Sequence, residues 1–263
     1  MIYVLGGRGF VGSAIVRHLQ SAGIEHRAIS RDNFEAFRGT SCDVLINANG
    51  NSKKFLSDRE PLTDFDLSVR SVADSLQAFR FGRYVLLSTG DVYPRQDLPA
   101  GTLEDSNIDP AAQSRYGLHK LLAELQVRNV ARQWLIFRMG GFVGPGLKKN
   151  AVYDMLTDAP VWLSPMSELQ FISTDAAARL MWKIVERGVS GEIINLGAQG
   201  VVNLGALHEA IGSRSSFNDG ARFVRYELSL QKLELLAGEP LPKSTDEVLG
   251  FVTSVRAGQC ALG

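Results

Sequence analysis

The amino-terminal stretch MIYVLGGRGFVGSAIVRHLQSAG constrains the fold more than any other part of the chain. MIYVL is a short apolar run that reads as a buried strand. SAIVRHLQSAG carries apolar residues at helical spacing. Between them, Gly6, Gly9 and Gly12 recur at intervals of three. A strand that turns into a helix through three such glycines opens a βαβ unit able to hold a dinucleotide. Gly6 would make the tight turn, Gly9 would let backbone approach a pyrophosphate, and Gly12 would let helix and strand pack closely. The phosphates would then meet the partial positive charge and the N–H groups of the helix N-terminus. A glycine triplet alone also suits a tight turn with no ligand. The strand before it and the helix after it favour the ligand, with Gly6, Arg8, Gly9, Phe10, Val11 and Gly12 as its contacts.

The alternation continues. HRAIS, CDVLIN, RYVLLST and WLIFRM read as further strands, and PLTDFDLSVRSVADSLQAF and residues 114–131 as intervening helices. Strand, helix, strand, helix implies a doubly wound parallel sheet of the α/β class with right-handed crossovers. The pattern loosens after GGFVGPG, where short strands (APVWL, LQFIS, GEIINLG) mix with helices. Residues 1–146 are therefore expected to form a dinucleotide-binding domain, returning in part at 171–198. Residues 147–263 are expected to form a smaller α/β substrate-binding region. A chain of 263 residues with 45% hydrophobic residues can bury such a core.

Lys+Arg and Asp+Glu are both 28, so no charge excess calls for nucleic acid or a membrane surface. Two cysteines, Cys42 and Cys260, suggest neither a disulfide framework nor a metal site. The four histidines show no ligand spacing, and no metal is expected. With no apolar run of about 20 residues and no leader before the first strand, the default reading is a cytoplasmic protein.

The second strand closes AISRDN. An acidic residue there binds the adenosine ribose of NAD. Here Arg31 comes first and Asp32 follows, and Arg8 lies in the glycine loop. Two guanidiniums at the adenosine end suit a 2′-phosphate, so the reading favours NADP, with Asp32 leaving NAD as the alternative.

The fourth strand ends in Ser88 and Thr89, at the carboxyl edge where such sheets bind ligands. SRYGLHK then places Tyr116 and Lys120 one helical turn apart. Alone, that spacing usually marks a solvated helix face. Brought into one crevice, Lys120 would lower the pKa of the phenol from its ordinary value of about 10. Tyr116 could then exchange a proton with a substrate oxygen, and Thr89 could hydrogen-bond the same oxygen. Lys120 would also touch the nicotinamide ribose.

GGRGFVG, STGDVY, SRYGLHK, FRMGGFVGPG and FISTDAAARLMWKIVERGVSGEIINLGA together resemble the extended short-chain dehydrogenase/reductase family, the nucleotide-sugar epimerase/dehydratase group, over residues 1–198. The resemblance implies a Rossmann fold, Thr89, Tyr116 and Lys120 as catalytic residues, and Gly144–Pro145–Gly146 lining the nicotinamide side. After the third strand the family commonly reads His-Leu-Ala-Ala. Here Asn47, Ala48 and Asn49 stand next to the cofactor, where Ala48 and Gly50 permit close backbone approach. Ser68 stands where the family carries a helix asparagine, and Gln170 stands where many members carry an arginine for the substrate diphosphate. Lys148 and Lys149 could compensate. Dehydratases follow the threonine with Asp-Glu; this chain has Gly90 and Asp91. The glycine loop is most similar to that of GDP-fucose synthases, whose extra cysteine corresponds to Asp91. Asp91 is thus a candidate second acid/base, or a turn residue.

The function implied is an NAD(P)-dependent oxidoreductase that reduces a keto group on a nucleotide-activated sugar. One alternative is an epimerase that retains its cofactor, with a dehydratase a lesser variant. Another is a dinucleotide-binding sensor or scaffold without turnover. A homodimer through the Tyr-xxx-Lys helix and the helix before it is open, since either helix could instead pack only on its own sheet.

Overall fold

The computed structural model describes residues 1–263. The chain divides into two compact units: residues 1–94, 104–139 and 178–194 form the first, and 95–103, 140–177 and 195–263 the second.

Six strands make the main sheet: β1 (Ile2–Leu5), β2 (His26–Ile29), β3 (Ser41–Asn47), β4 (Arg80–Thr89), β5 (Trp134–Met139) and β6 (Glu192–Leu196), in the order β2-β1-β3-β4-β5-β6. The β1–β2, β1–β3, β3–β4 and β4–β5 pairs are parallel. This is the doubly wound α/β architecture expected from the alternating pattern. β1 is flanked by β2 on one side and β3 on the other, so connections leave it in opposite directions. The crevice at that switch point, beyond the carboxyl ends, is where such sheets bind ligands.

Burial follows the pleat. Tyr3, Leu5, Leu45, Tyr84, Leu86 and Ile136 gather with Val72, Leu76, Ala123 and Val127 of the covering helices in one core cluster. Val4, Ile46, Val85, Leu135 and Phe137 are buried as well. A parallel sheet covered on both faces needs such continuous apolar strands.

The expected helix over PLTDFDLSVRSVADSLQAF forms, but it is not uniform. Pro61 opens it, as its missing N–H allows. Residues Asp66–Arg70 form a π-helical turn, and Ser71–Ala78 return to α. Asp64, just before the wider turn, and Ser68, within it, are both buried. The helix Arg115–Val130 is capped by the Ser114 hydroxyl, which accepts from the Gly117 N–H at 3.0 Å.

The second unit is built from small sheets. Val202–Asn203, Glu168–Leu169 and Arg225–Tyr226 form one; Phe217–Arg222 pairs with Val161–Leu163, and Gly141–Val143 with Phe171–Ser173. A helix not picked out by the sequence pattern, Ser244–Arg256, is tied in at its start. There the Ser244 hydroxyl donates to the Phe171 carbonyl at 2.7 Å and accepts from its N–H at 2.6 Å. No helix is long and apolar enough to cross a membrane.

Candidate active site

The glycine loop leaves β1 and enters the helix Phe10–Ser21. Gly6 has φ +73°, a left-handed conformation that glycine adopts without cost. A Cβ there would also lie 2.6 Å from Asn49 Oδ1 and 3.0 Å from the Ala48 carbonyl oxygen. The turn after β1 thus touches the turn after β3, across the switch point. A Cβ at Gly12 would collide with the Gly6 carbonyl oxygen and lie 2.8 Å from its carbon, so the helix approaches the loop as only glycine allows. Gly9 is the N-cap, and it has no side chain to cap the helix amides. An anion placed there meets helix amides rather than a capping side chain. Chain path and close backbone contact therefore fit a dinucleotide.

Arg8 Nη1 meets Asp32 Oδ2 at 3.0 Å, with the two side chains 71% and 78% exposed. An ion pair so open to water is weak, and either partner can turn to a ligand at small cost. Arg31 is exposed beside it. Asn47 is fully buried, and its amide is committed inward: Nδ2 donates to the Tyr84 hydroxyl at 2.7 Å, and Oδ1 accepts from the Asn49 N–H at 2.9 Å. It shapes the turn that carries Ala48 and Asn49, while its side chain is not offered to the crevice.

Tyr116 and Lys120 project from one face of the Arg115–Val130 helix, and Lys120 Nζ lies 5.7 Å from the centre of the Tyr116 ring. Both dock on the loop after β3. The Tyr116 hydroxyl donates to the Asn51 carbonyl at 3.1 Å. Lys120 Nζ lies 2.6 Å from where a Cβ of Gly50 would stand, and Gly50 has φ +137°. A side chain at position 50 would displace the tip of the lysine and would have to adopt a backbone conformation that favours glycine.

The electrostatics differ from the expectation that the ammonium lowers the phenol. Burial pushes the Tyr116 phenol above its ordinary range, and the charges of Asp91 and Asp64 add to the push. Burial brings Lys120 down from 10.5 to about 8, against the opposing pull of Asp64, Asp91 and Glu124. Desolvation penalises both charged forms, and at this depth it outweighs one neighbouring cation. Tyr116 therefore holds its proton.

Thr89 ends β4. Its hydroxyl donates to Asp91 Oδ2 at 3.0 Å and accepts from the Asp91 N–H at 3.2 Å. Asp91 Oδ1 receives Lys54 Nζ at 2.6 Å. A Cβ at Gly117 would collide with the Asp91 carbonyl oxygen, so the helix turn that carries Tyr116 rides directly on the Thr89–Asp91 turn. Thr89, Asp91, Tyr116 and Lys120 are thus brought together. Thr89 caps the Gly90–Val92 turn through the Asp91 N–H, and Asp91, inside that turn, presents its carboxyl beside the Thr89 hydroxyl.

Two buried clusters surround this group. Asp64 receives Asn51, Ser68 and His119. Glu124 receives Ser88 at 2.5 Å and Arg138 at 2.8 and 3.1 Å. Sequence reasoning singled out Ser68 and Ser88 but missed their partners. His119, inside SRYGLHK and one residue before Lys120, was the available signal. In the second unit Gln170 is buried, and its amide exchanges hydrogen bonds with the Leu228 backbone at 3.1 and 3.3 Å. That side chain serves the core and offers nothing to an anion. Gly144 adopts φ +153°, with its Cβ position 3.2 Å from Thr174 Cβ, and Lys148 and Lys149 are exposed.

Residues 2–197 match the family model described as the NAD dependent epimerase/dehydratase family. No curated protein sequence gives a match. Among solved structures, the chain is similar to a UDP-galactose 4-epimerase, at 21% identity and TM-score 0.78 over 98% of this chain and 99% of that one. It is also similar to DesIV, a dTDP-glucose 4,6-dehydratase from Streptomyces venezuelae with NAD and TYD bound, at 20% identity and TM-score 0.79 over 98% and 97%. A UDP-glucuronic acid 4-epimerase from Bacillus cereus, in complex with UDP-glucuronic acid and NAD, follows at 17% and 0.76 over 97% and 99%. These likenesses reproduce the doubly wound fold across the whole length. On a family match that covers most of its residues, glycine loop and Tyr-xxx-Lys helix included, this chain belongs to the NAD-dependent epimerase/dehydratase family.

Proposed function

We propose that the chain is an NAD(P)-dependent oxidoreductase that reduces a keto group on a nucleotide-activated sugar, with Tyr116 as proton donor. The observation that carries this reading is the placement of Tyr116: buried, its hydroxyl donating to the Asn51 carbonyl, with Lys120 Nζ 5.7 Å from the centre of its ring. Burial raises the phenol, so its proton leaves only for an oxygen that gains negative charge beside the Lys120 ammonium. Reduction of a carbonyl creates negative charge on oxygen, and a positioned acid neutralises it. Lys120, close to its own titration point at neutral pH, supports the phenolate left behind. Thr89 would turn its hydroxyl from Asp91 to the substrate oxygen and fix its place. Asp91 is the second acid/base, steadied by Lys54. A nicotinamide held in the crevice would supply the hydride. Gly6, Gly9, Gly12, Ala48 and Asn49 would hold the dinucleotide, and Arg8 and Arg31 the 2′-phosphate of NADP. The nucleotide-sugar part of the reading leans on the substrates named with similar solved structures.

The rival epimerase reading has two of those named structures behind it. Adding UDP- and dTDP-linked keto sugars to enzyme and NADPH separates the two. Falling NADPH absorbance supports reduction. A sugar that changes stereochemistry while NADPH stays constant defeats it. Tyr116→Phe should bind NADPH normally and lose about 10²–10⁴-fold in turnover; undiminished turnover removes Tyr116 as the acid.

We also place a second copy of this chain on the helical face that carries Leu62, Phe65 and Leu125, which is exposed, Leu62 by 81%. Phe65 and Leu125 line a groove there with Val69, Leu122 and Trp134. Light scattering that returns a monomer for the wild type at micromolar concentration rejects this placement.

A further inference from the structure

The acid/base chemistry above uses Tyr116, Lys120, Thr89 and Asp91, and leaves the buried cluster around Asp64 without a task. Asp64 is wholly inaccessible to solvent. Its Oδ1 accepts from Asn51 Nδ2 at 2.7 Å and from Ser68 Oγ at 3.3 Å, and its Oδ2 from His119 Nδ1 at 2.6 Å. Burying a carboxyl is costly unless donors surround it, and three do so here. A stabilising role alone would be met as well by an apolar residue at that place.

Both ends of the cluster lead to the proposed acid/base pair. Asn51, held through its side chain by Asp64, offers its main-chain carbonyl to the Tyr116 hydroxyl. Gly50, its neighbour, is the residue against which Lys120 Nζ rests. His119 lies three residues after Tyr116 and directly before Lys120, in the same turn of helix. One carboxyl therefore joins the loop that receives both side chains to the helix that projects them.

We propose that Asp64 is the positioning residue of the Tyr116–Lys120 pair: through Asn51 it fixes the carbonyl that engages the phenol, and through His119 it fixes the helical turn that bears both groups. The proposal rests on the reading of Tyr116 and Lys120 as an acid/base pair. It also carries an electrostatic consequence. Asp91 and Asp64 face Tyr116; Asp64, Asp91 and Glu124 face Lys120; His119, Lys54, and Arg138 lie one partner further out, on Asp64, Asp91 and Glu124. Burial is the larger influence on both groups. The Asp64 charge works with burial on the phenol and against it on the ammonium. Removing that charge lowers the proton affinity of both.

The test needs no substrate. Full-length protein with isotopically labelled lysine side chains is titrated by NMR, the Lys120 signal being identified by its loss in Lys120→Met. Asp64→Asn should move the Lys120 midpoint down by about one pH unit, a tenfold loss of proton affinity. Asn51→Ala keeps the carboxyl and should leave that midpoint in place. It should instead bring Tyr116 into titration at lower pH, read as phenolate absorbance that Tyr116→Phe removes. A folded Asp64→Asn variant whose Lys120 midpoint does not move overturns the proposal. Should Asp64→Asn not fold, Asn51→Ala decides alone, and unchanged Tyr116 ionisation overturns it. A shifted midpoint in an enzyme that consumes no NADPH with any keto sugar would strike the proposed function and leave the role of Asp64 standing.

Discussion

Replacing Lys120 by methionine should make the protein more stable while abolishing its chemistry. Lys120 is only 8% exposed, and burial lowers its pKa from 10.5 to about 8. That difference in proton affinity corresponds to about 3 kcal/mol, spent at neutral pH to hold a desolvated ammonium. The sign follows from linkage. The folded value lies below the unfolded one, so between pH 8 and 10.5 the unfolded chain binds more protons and stability rises with pH. The whole cost is present below pH 8 and has gone above pH 10.5. Lys120→Met keeps the unbranched stem and removes the charge, so the cost disappears. Part of the gain is returned because Asp64, Asp91 and Glu124 lose a nearby cation. A net gain of about 1–3 kcal/mol at pH 7 remains, or a rise in Tm of about 2–10 °C for a chain of this size. Urea unfolding followed by circular dichroism, at steps from pH 7 to pH 10, measures both stability and its slope. The wild type should gain on the variant as pH rises through 8. A variant that is no more stable than wild type at pH 7, or a gap that stays constant with pH, refutes the argument that desolvation governs this lysine. The expected trade of stability for a poised active site is a general one.

Gly12→Ala should weaken NADPH binding more than tenfold and cost about 1–3 kcal/mol of stability, since its Cβ meets the Gly6 backbone, which cannot yield; an unchanged fluorescence titration counts against the loop as the cofactor site. Arg8→Ala combined with Arg31→Ala should raise KM for NADPH about 10–100-fold and leave NADH unaffected, the loss expected for charge-assisted hydrogen bonds to a phosphate; equal effects on both coenzymes reject the 2′-phosphate reading. Glu124→Ala strands Arg138, which is buried with it, and should cost about 3–5 kcal/mol in urea unfolding; a loss below about 1 kcal/mol means that the pair is not the anchor it looks to be.

The amino-acid sequence by itself determined the features that local chemistry controls. Apolar runs, helical spacing and three glycines suffice to specify β1, the loop and the first helix, because turn geometry and short-range sterics decide them. Tyr116 and Lys120 share a helix face for the same reason: four residues make about one turn. The apolar run of β4 likewise placed Thr89 at its end, with Asp91 in the turn that follows. Only tertiary structure decided the rest. Asn51 lies 65 residues from Tyr116, and Asp64 lies 55 from His119, so no periodicity connects them. The π-helical turn that carries Ser68 has no pattern of its own in PLTDFDLSVRS. Asn47 reads as a polar residue beside the cofactor, yet packing turned its amide to the core, as it did that of Gln170. The direction of the Tyr116 pKa shift was likewise inaccessible in the sequence, because desolvation depends on what surrounds a group from every side. Proximity along the helix brings an ammonium to a phenol; burial, created by segments distant along the chain, decides how tightly each holds its proton.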